Sequence, residues 1–175
     1  MKKILLISIL FFNFSFGQSK KETEEWIASK YDFYKSDIYF EKNNTLLFDN
    51  GNLYVMTQNT DEITYQKISL KDISEIFIEY TGEKIKSERY HIELICKVNQ
   101  NCIEHGKYVS GNFIPERQGG RWKIEGKNKK YFLTLTLDKS FKKDDLPMRM
   151  EKALFHLIKL YGGNAKKYVH PKETF

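Results

Sequence analysis

Arginine is scarce in this chain: four residues (89, 117, 121 and 149) stand against 25 lysines. A protein that reads phosphate or nucleic acid ordinarily carries more, because the planar guanidinium grips anions through two parallel N–H bonds. Net charge points the same way. Setting Lys2 and Lys3 aside leaves 27 basic against 23 acidic residues, a surplus of four. That aids solubility but does not mark a nucleic-acid binder. Catalytic signatures are missing too, with no Gly-x-Ser-x-Gly elbow and no His-Glu-x-x-His pair. His91, His156 and His170 do not group with one another in the sequence pattern. There are no internal repeats, no low-complexity segment and no linker that would separate a second domain. Strands and helices do not alternate as βαβ units, which argues against a parallel nucleotide-binding sheet.

The N-terminus carries more information. Lys2 and Lys3 precede Ile4–Phe12, a run that is apolar apart from Ser8, and Ser15 and Gly17 occupy positions −3 and −1 of a cleavage after Gly17. This is the grammar of a secretory signal peptide. The run is short against the ~20 residues that span a bilayer, so cleavage is expected rather than retention as an anchor. No second span follows, and no cysteine follows the run to carry a lipid. The expected organisation is a cleaved segment 1–17, a single domain 18–163 and a loose polar tail 164–175. The expected location is outside the cytoplasm, periplasmic or secreted.

Periodicity predicts the elements. In 20–34, Ile27, Tyr31 and Tyr34 recur on one helical face that continues to Ile38; Thr23 lies ahead of Trp26 and Ile27, and acidic residues crowd the first turn. Trp26 in that position ordinarily anchors a helix to its core. The stretch 45–57 reads as a hairpin turning on Asn50-Gly51, a pair that tolerates the positive φ of a type I′ turn. Strands are expected at 63–70 and 70–80, with Ile73, Ile76 and Ile78 as core candidates, then a polar connection 82–88. In 90–98, Ile92, Leu94 and Cys96 point one way and His91, Glu93 and Ile95 the other. A weak strand or strand pair at 102–113, a short strand at 119–126 and a strong one at 129–137 follow. The segment 144–163 closes the chain as an amphipathic helix. Pro147 lies in its first turn, Gly162-Gly163 forms its stop, and Met150, Ala153, Leu154, Leu157, Ile158 and Tyr161 share one face.

The fold class expected is α+β, mainly antiparallel β: an N-terminal helix, about seven strands forming a bent sheet or barrel, and a capping C-terminal helix. LKDISEIFIEY (70–80) is similar to a segment common in bacterial pleckstrin-homology-like (PH-like) domains, and MEKALFHLIKLYGG resembles the closing helix of small exported bacterial proteins with that barrel. The resemblance covers roughly residues 38–162 and rests on pattern, not on a diagnostic motif. Helix 20–34 departs from the minimal PH-like layout, which leaves a plain helix-plus-sheet arrangement as the alternative. The resemblance implies a scaffold that serves lipid, peptide and protein partners alike.

Cys96 and Cys102 are the only cysteines. As metal ligands, Cys96-x5-Cys102-x2-His105 lacks a tight knuckle and a fourth ligand, and no metal is expected. As a redox pair, the spacing departs from Cys-x-x-Cys. A structural disulfide is favoured, set across a hairpin that turns on KVNQN, with separate reduced thiols as the alternative. Lys107, Arg117, Arg121, Lys123, Lys127, Lys129 and Lys130 form a basic stretch interleaved with aromatics, in which Arg117, Arg121 and Lys123 are candidate anion-binding residues. A solvated loop pinned by Trp122 explains the same residues. The function expected is that of an exported, non-catalytic binding module for a protein or peptide partner, with no cofactor and no nucleic acid. The alternatives are a small-molecule carrier with an apolar cavity, or a hydrolase whose site has no motif.

Overall fold

The computed structural model describes residues 19–36, 43–58, 63–81, 88–97, 100, 102–108, 122–127 and 131–169; for Tyr108 and 122–127 the description is of the backbone. The signal-peptide segment, Ile38, the connection 82–87, Arg117, Arg121 and His170 lie outside the described residues.

Helix α1 spans Lys20–Tyr34. It begins a turn before Thr23 because Ser19 and Glu22 form a capping box: the Ser19 hydroxyl accepts from the Glu22 amide at 3.2 Å, and the Ser19 amide donates to Glu22 Oε2 at 2.7 Å. Thr23 is instead buried one turn in, its hydroxyl donating to the Ser19 carbonyl at 3.2 Å. Ile27 and Tyr31 are buried and Tyr34 is half-buried, so the helical stripe faces the core as its spacing predicts.

Strands β1 (Asn44–Asp49) and β2 (Asn52–Gln58) form the hairpin. Asn50 and Gly51 take φ of 46° and 77°, the pair of left-handed residues that a two-residue type I′ turn demands. β3 (Ile63–Ser69) pairs with β2, and a short 3-10 turn at Leu70–Asp72 leads into β4 (Ile73–Tyr80). β5 (Arg89–Cys96) alternates strictly, with Tyr90, Ile92, Leu94 and Cys96 buried. β6 (Glu104–Tyr108), β7 (Trp122–Lys127) and β8 (Phe132–Asp138) follow. A 3-10 segment Lys139–Asp145 then leads into helix α2 (Leu146–Leu160). The last element, β9 (Lys166–Lys167), pairs in parallel with β4.

The class is α+β with mainly antiparallel sheets and two helices, but the strands do not close into a barrel. They form two open sheets, one ordered β1-β2-β3-β6-β7 and the other β8-β5-β4-β9. A simple meander of about seven strands fails because the chain changes sheet between β3 and β4, between β5 and β6, and between β7 and β8. Pairing register carries across each change. Lys67 faces Glu104 in the first sheet, and Ile73 faces Cys96 in the second, six residues further along one arm and eight along the other. Likewise Glu104 faces Lys127, and Ile95 faces Phe132. Three long antiparallel arms (β3 with β4, β6 with β5, β7 with β8) thus run through one common bend.

α2 closes the inside of that bend. Leu146, Met150, Leu154, Leu157 and Ile158 are buried against Ile27 and Tyr31 of α1 and Leu70, Ile73, Ile76, Ile92 and Leu94 of the sheets. Each such side chain contributes roughly 1.5–3 kcal/mol of apolar burial. The helix stops where its sequence predicts. Gly162, at φ 83°, donates to the Lys159 carbonyl at 3.0 Å, and Gly163 donates to the Ile158 carbonyl at 2.9 Å, the paired bonds of a Schellman motif. Past this stop, in the segment expected to be loose, the Tyr168 amide donates to the Ile76 carbonyl at 2.9 Å, and Lys167 Nζ sits 2.9 Å from Glu151 Oε1.

Candidate functional site

A cavity of about 480 Å³ opens at the bend, lined by Asn52, Lys67, Ser69, Asp72, Gln100, Cys102 and Glu104. Strand alternation puts these residues together. Lys67 and Ser69 are two apart on β3 and share its outward face; Asn52 stands opposite Ser69 on β2, and Glu104 stands opposite Lys67 on β6. The bend adds Asp72 from the 3-10 turn and Gln100 and Cys102 from the segment between β5 and β6. The intervening residues Leu53 and Ile68 point the opposite way, into the main core.

The same outward face carries a second apolar cluster of Tyr54, Met56 and Tyr65, with Leu47 and Ile63 packed against it. Tyr65 joins the cluster to the cavity. Its ring lies over Gly106, its cross-strand partner, where a Cβ would fall inside the ring. Glycine here is what lets an aromatic ring lie flat on the neighbouring strand. The Tyr65 hydroxyl donates to Glu104 Oε1 at 2.9 Å. Burial first, and the Glu104 carboxylate second, push the Tyr65 phenol well above its ordinary value. Lys67 Nζ lies 5.5 Å from the centre of the Tyr54 ring, a cation–π distance, and the Tyr54 and Tyr65 rings are 6.0 Å apart.

The disulfide is formed. Cys96 and Cys102 are bonded, with Cα atoms 6.4 Å apart. The hairpin expected to hold it is not: β5 and β6 belong to different sheets, so the bridge ties one arm across its own bend instead of linking neighbouring strands. Cys96 is buried in the core, and Cys102 is half-buried in the cavity wall.

Of the candidate anion-binding residues, Arg117 and Arg121 lie outside the described residues, and Lys123 is placed by backbone alone, opposite Lys107 in β7. The described residues that line the cavity were not picked out by sequence reading, except Cys102. They come from positions 52 to 104 and share no spacing; the one local signal is the polar alternation of Lys67 and Ser69 at the end of an otherwise β-prone run. Among the described residues no group of three or more His, Cys, Asp or Glu is arranged to hold a metal. Nor is any helix among them long and apolar enough to cross a membrane.

Comparison with protein-family models, with curated proteins and with solved structures found no match. Function must therefore be argued from the cavity. It offers hydrogen-bond donors and acceptors on a fixed sheet surface beside an aromatic cluster. Among the described residues of its lining Ser69 carries the one hydroxyl, and none of them is a histidine.

Proposed function

We propose that this protein is an exported binding module that takes a protein or peptide partner on the outward face of its first sheet. The observation that carries the reading is the cavity of about 480 Å³, lined almost wholly by polar side chains, at the end of the Tyr54–Met56–Tyr65 cluster. That volume suits a side chain or two of an extended peptide. The Gln100 carboxamide and the Asn52 Oδ1 suit the alternating donors and acceptors of a peptide backbone. A carrier of apolar small molecules would need an apolar enclosure, and this cavity is polar.

Support for export comes from the signal-peptide grammar of residues 1–17 and from the disulfide, a bond that persists in oxidising compartments such as the periplasm or the medium. We also propose kinship with PH-like domains, on the ground of a bent antiparallel sheet packed by a C-terminal helix; the open sheet edges are the feature such kinship has to accommodate.

The test is site-specific cross-linking in the producing cell. A photo-reactive residue at position 100 should capture a discrete partner, and the same residue at position 159, on the exposed face of α2, should not. Equal capture from both positions, or none from position 100, would refute the reading. N-terminal sequencing of the exported protein tests the location: a start at Gln18 is expected, and recovery of full-length protein in the cytoplasm would refute export.

A further inference from the structure

Without β9 the second sheet would end on β4, and the chain itself shows what that edge accepts. Lys166 and Lys167 lie in parallel beside Glu75 and Ile76, and the Tyr168 amide donates to the Ile76 carbonyl at 2.9 Å. Alternation then distributes the side chains. Ile76 faces the core, so Lys167 beside it turns toward α2, where its Nζ lies 2.9 Å from Glu151 Oε1. Lys166 and Tyr168 take the other face. There Lys166 Nζ lies 3.2 Å from Glu75 Oε1, and the Tyr168 ring meets Phe77 edge to face at 5.4 Å. An extended basic-basic-aromatic segment is thus seated on the edge of β4, with one lysine reaching α2.

Its hold is slight. The ladder joins two residues to a strand of eight. The lysine side chains are 77% and 66% exposed, and ion pairs so open to water contribute little. The opposite edge of the same sheet is closed differently. There Lys35 bridges Leu137, and Ser36, buried and leading straight out of α1, donates its amide to the Thr136 carbonyl at 3.3 Å. One edge is sealed by a buried segment and the other is covered by an exposed strap. The chain leading to the strap is fixed: a Cβ on Gly163 would lie 2.6 Å from Ile158 Cγ2 and 3.0 Å from the Leu70 carbonyl oxygen, and Ala165 packs against the core. The strap can therefore leave by turning about the residues after Ala165, with the rest of the fold in place. A vacated strand edge is a template for another extended chain.

We propose that the β4 edge is a strand-addition site for a partner segment of two basic residues followed by an aromatic, and that residues 166–168 occupy it as a displaceable internal competitor. The partner's basic side chains take the places of Lys166 at Glu75 and Lys167 at Glu151, and its aromatic replaces Tyr168 on Phe77. The site lies in the second sheet and is independent of the cavity.

The probe is acetyl-Asn-Ala-Lys-Lys-Tyr-Val-amide, the chain's own sequence 164–169, added to the isotopically labelled full chain while the backbone amides of residues 75–78 are followed by NMR. Wild type is compared with the variant Lys167→Glu, Tyr168→Pro, which loses the ion pair to Glu151 and the amide that donates to Ile76. Unchanged amide signals from β5 and α2 show that the variant is folded. Lys166→Ser with Lys167→Ser, which removes both ion pairs and no backbone bond, should give an intermediate affinity. The peptide should bind the released variant saturably and wild type at least about tenfold more weakly, because a short tether holds the strap at an effective concentration on the order of mM. Glu151→Gln in the released variant should weaken the peptide, and acetyl-Asn-Ala-Glu-Glu-Tyr-Val-amide should not bind. Equal affinity for both proteins would show that the strap does not guard the edge. No binding to the released variant, equal binding of the glutamate peptide, or self-association of the variant in place of peptide binding would each overturn the proposal, the last by assigning the edge to a second copy.

Discussion

Removing the disulfide is the perturbation whose size can be worked out most directly. The bridge joins positions six apart in sequence. In the chain-entropy picture a loop that short restrains the unfolded state by ~2 kcal/mol at room temperature. For a domain of this size each kcal/mol moves the thermal midpoint by about 2–4 °C, so a fall of about 4–8 °C is expected. The variant should be Cys96→Ala with Cys102→Ser. Position 96 is 1% exposed and would be harmed by a buried hydroxyl, whereas position 102 borders the cavity and tolerates one. Urea unfolding of three samples separates the causes: oxidised wild type, wild type reduced with a dithiol, and the double variant. Reduced wild type and the variant should agree within ~0.5 kcal/mol, because both lose the same constraint on the unfolded chain. A loss under ~0.5 kcal/mol in both would refute the entropic argument, and two titratable thiols in the unreduced protein would refute the bridge itself.

Three further outcomes are expected. Gly106→Val should cost ~1–3 kcal/mol by driving the Tyr65 ring off its strand; combined with Tyr65→Ala the loss should be clearly less than additive in a double-mutant cycle. Leu154→Ala, at a fully buried α2 position, should cost ~2–5 kcal/mol by urea unfolding; a smaller effect would mean that the helix does not seal the core. The Tyr161 phenol is pushed up to about 12, by burial first and then by its 2.7 Å hydrogen bond to Glu24 Oε1. Because the folded state holds that proton more tightly than the unfolded chain, this contribution is intact below pH ~10 and is lost as pH rises toward 12. Unfolding followed from pH 8 to 12 should therefore show stability falling above pH 10, and Tyr161→Phe should flatten that slope while lowering stability at pH 8.

Much of the local structure was readable in the residues. Asn50-Gly51 specified its turn because few other pairs accept two left-handed residues in succession. The β5 alternation was readable because one face is buried along its whole length. Gly162-Gly163 announced the end of α2 through the same conformational freedom. The span of α1 was readable but its cap was not: Thr23 drew the eye, whereas Ser19-x-x-Glu22 is the cap, with both reciprocal bonds formed. What periodicity cannot convey is the sheet to which a strand belongs. Ile73 and Ile76 read as buried in either arrangement, and nothing in LKDISEIFIEY says that β4 leaves the sheet of β3. The cavity was illegible for the same reason: Asn52, Asp72 and Glu104 meet only because three arms bend along one line.

That common line has a consequence for how the molecule comes apart. Each of the three arms gives one half to either sheet, so no seam exists along which one layer could peel from the other and keep its partners. A single scission inside any arm damages both layers at once. Assembly is bound by the same interlacing, since Ile63 must find Tyr108 across a separation of 45 residues before the first layer is whole. Loss of structure should therefore be all-or-none, with neither layer surviving as a fragment.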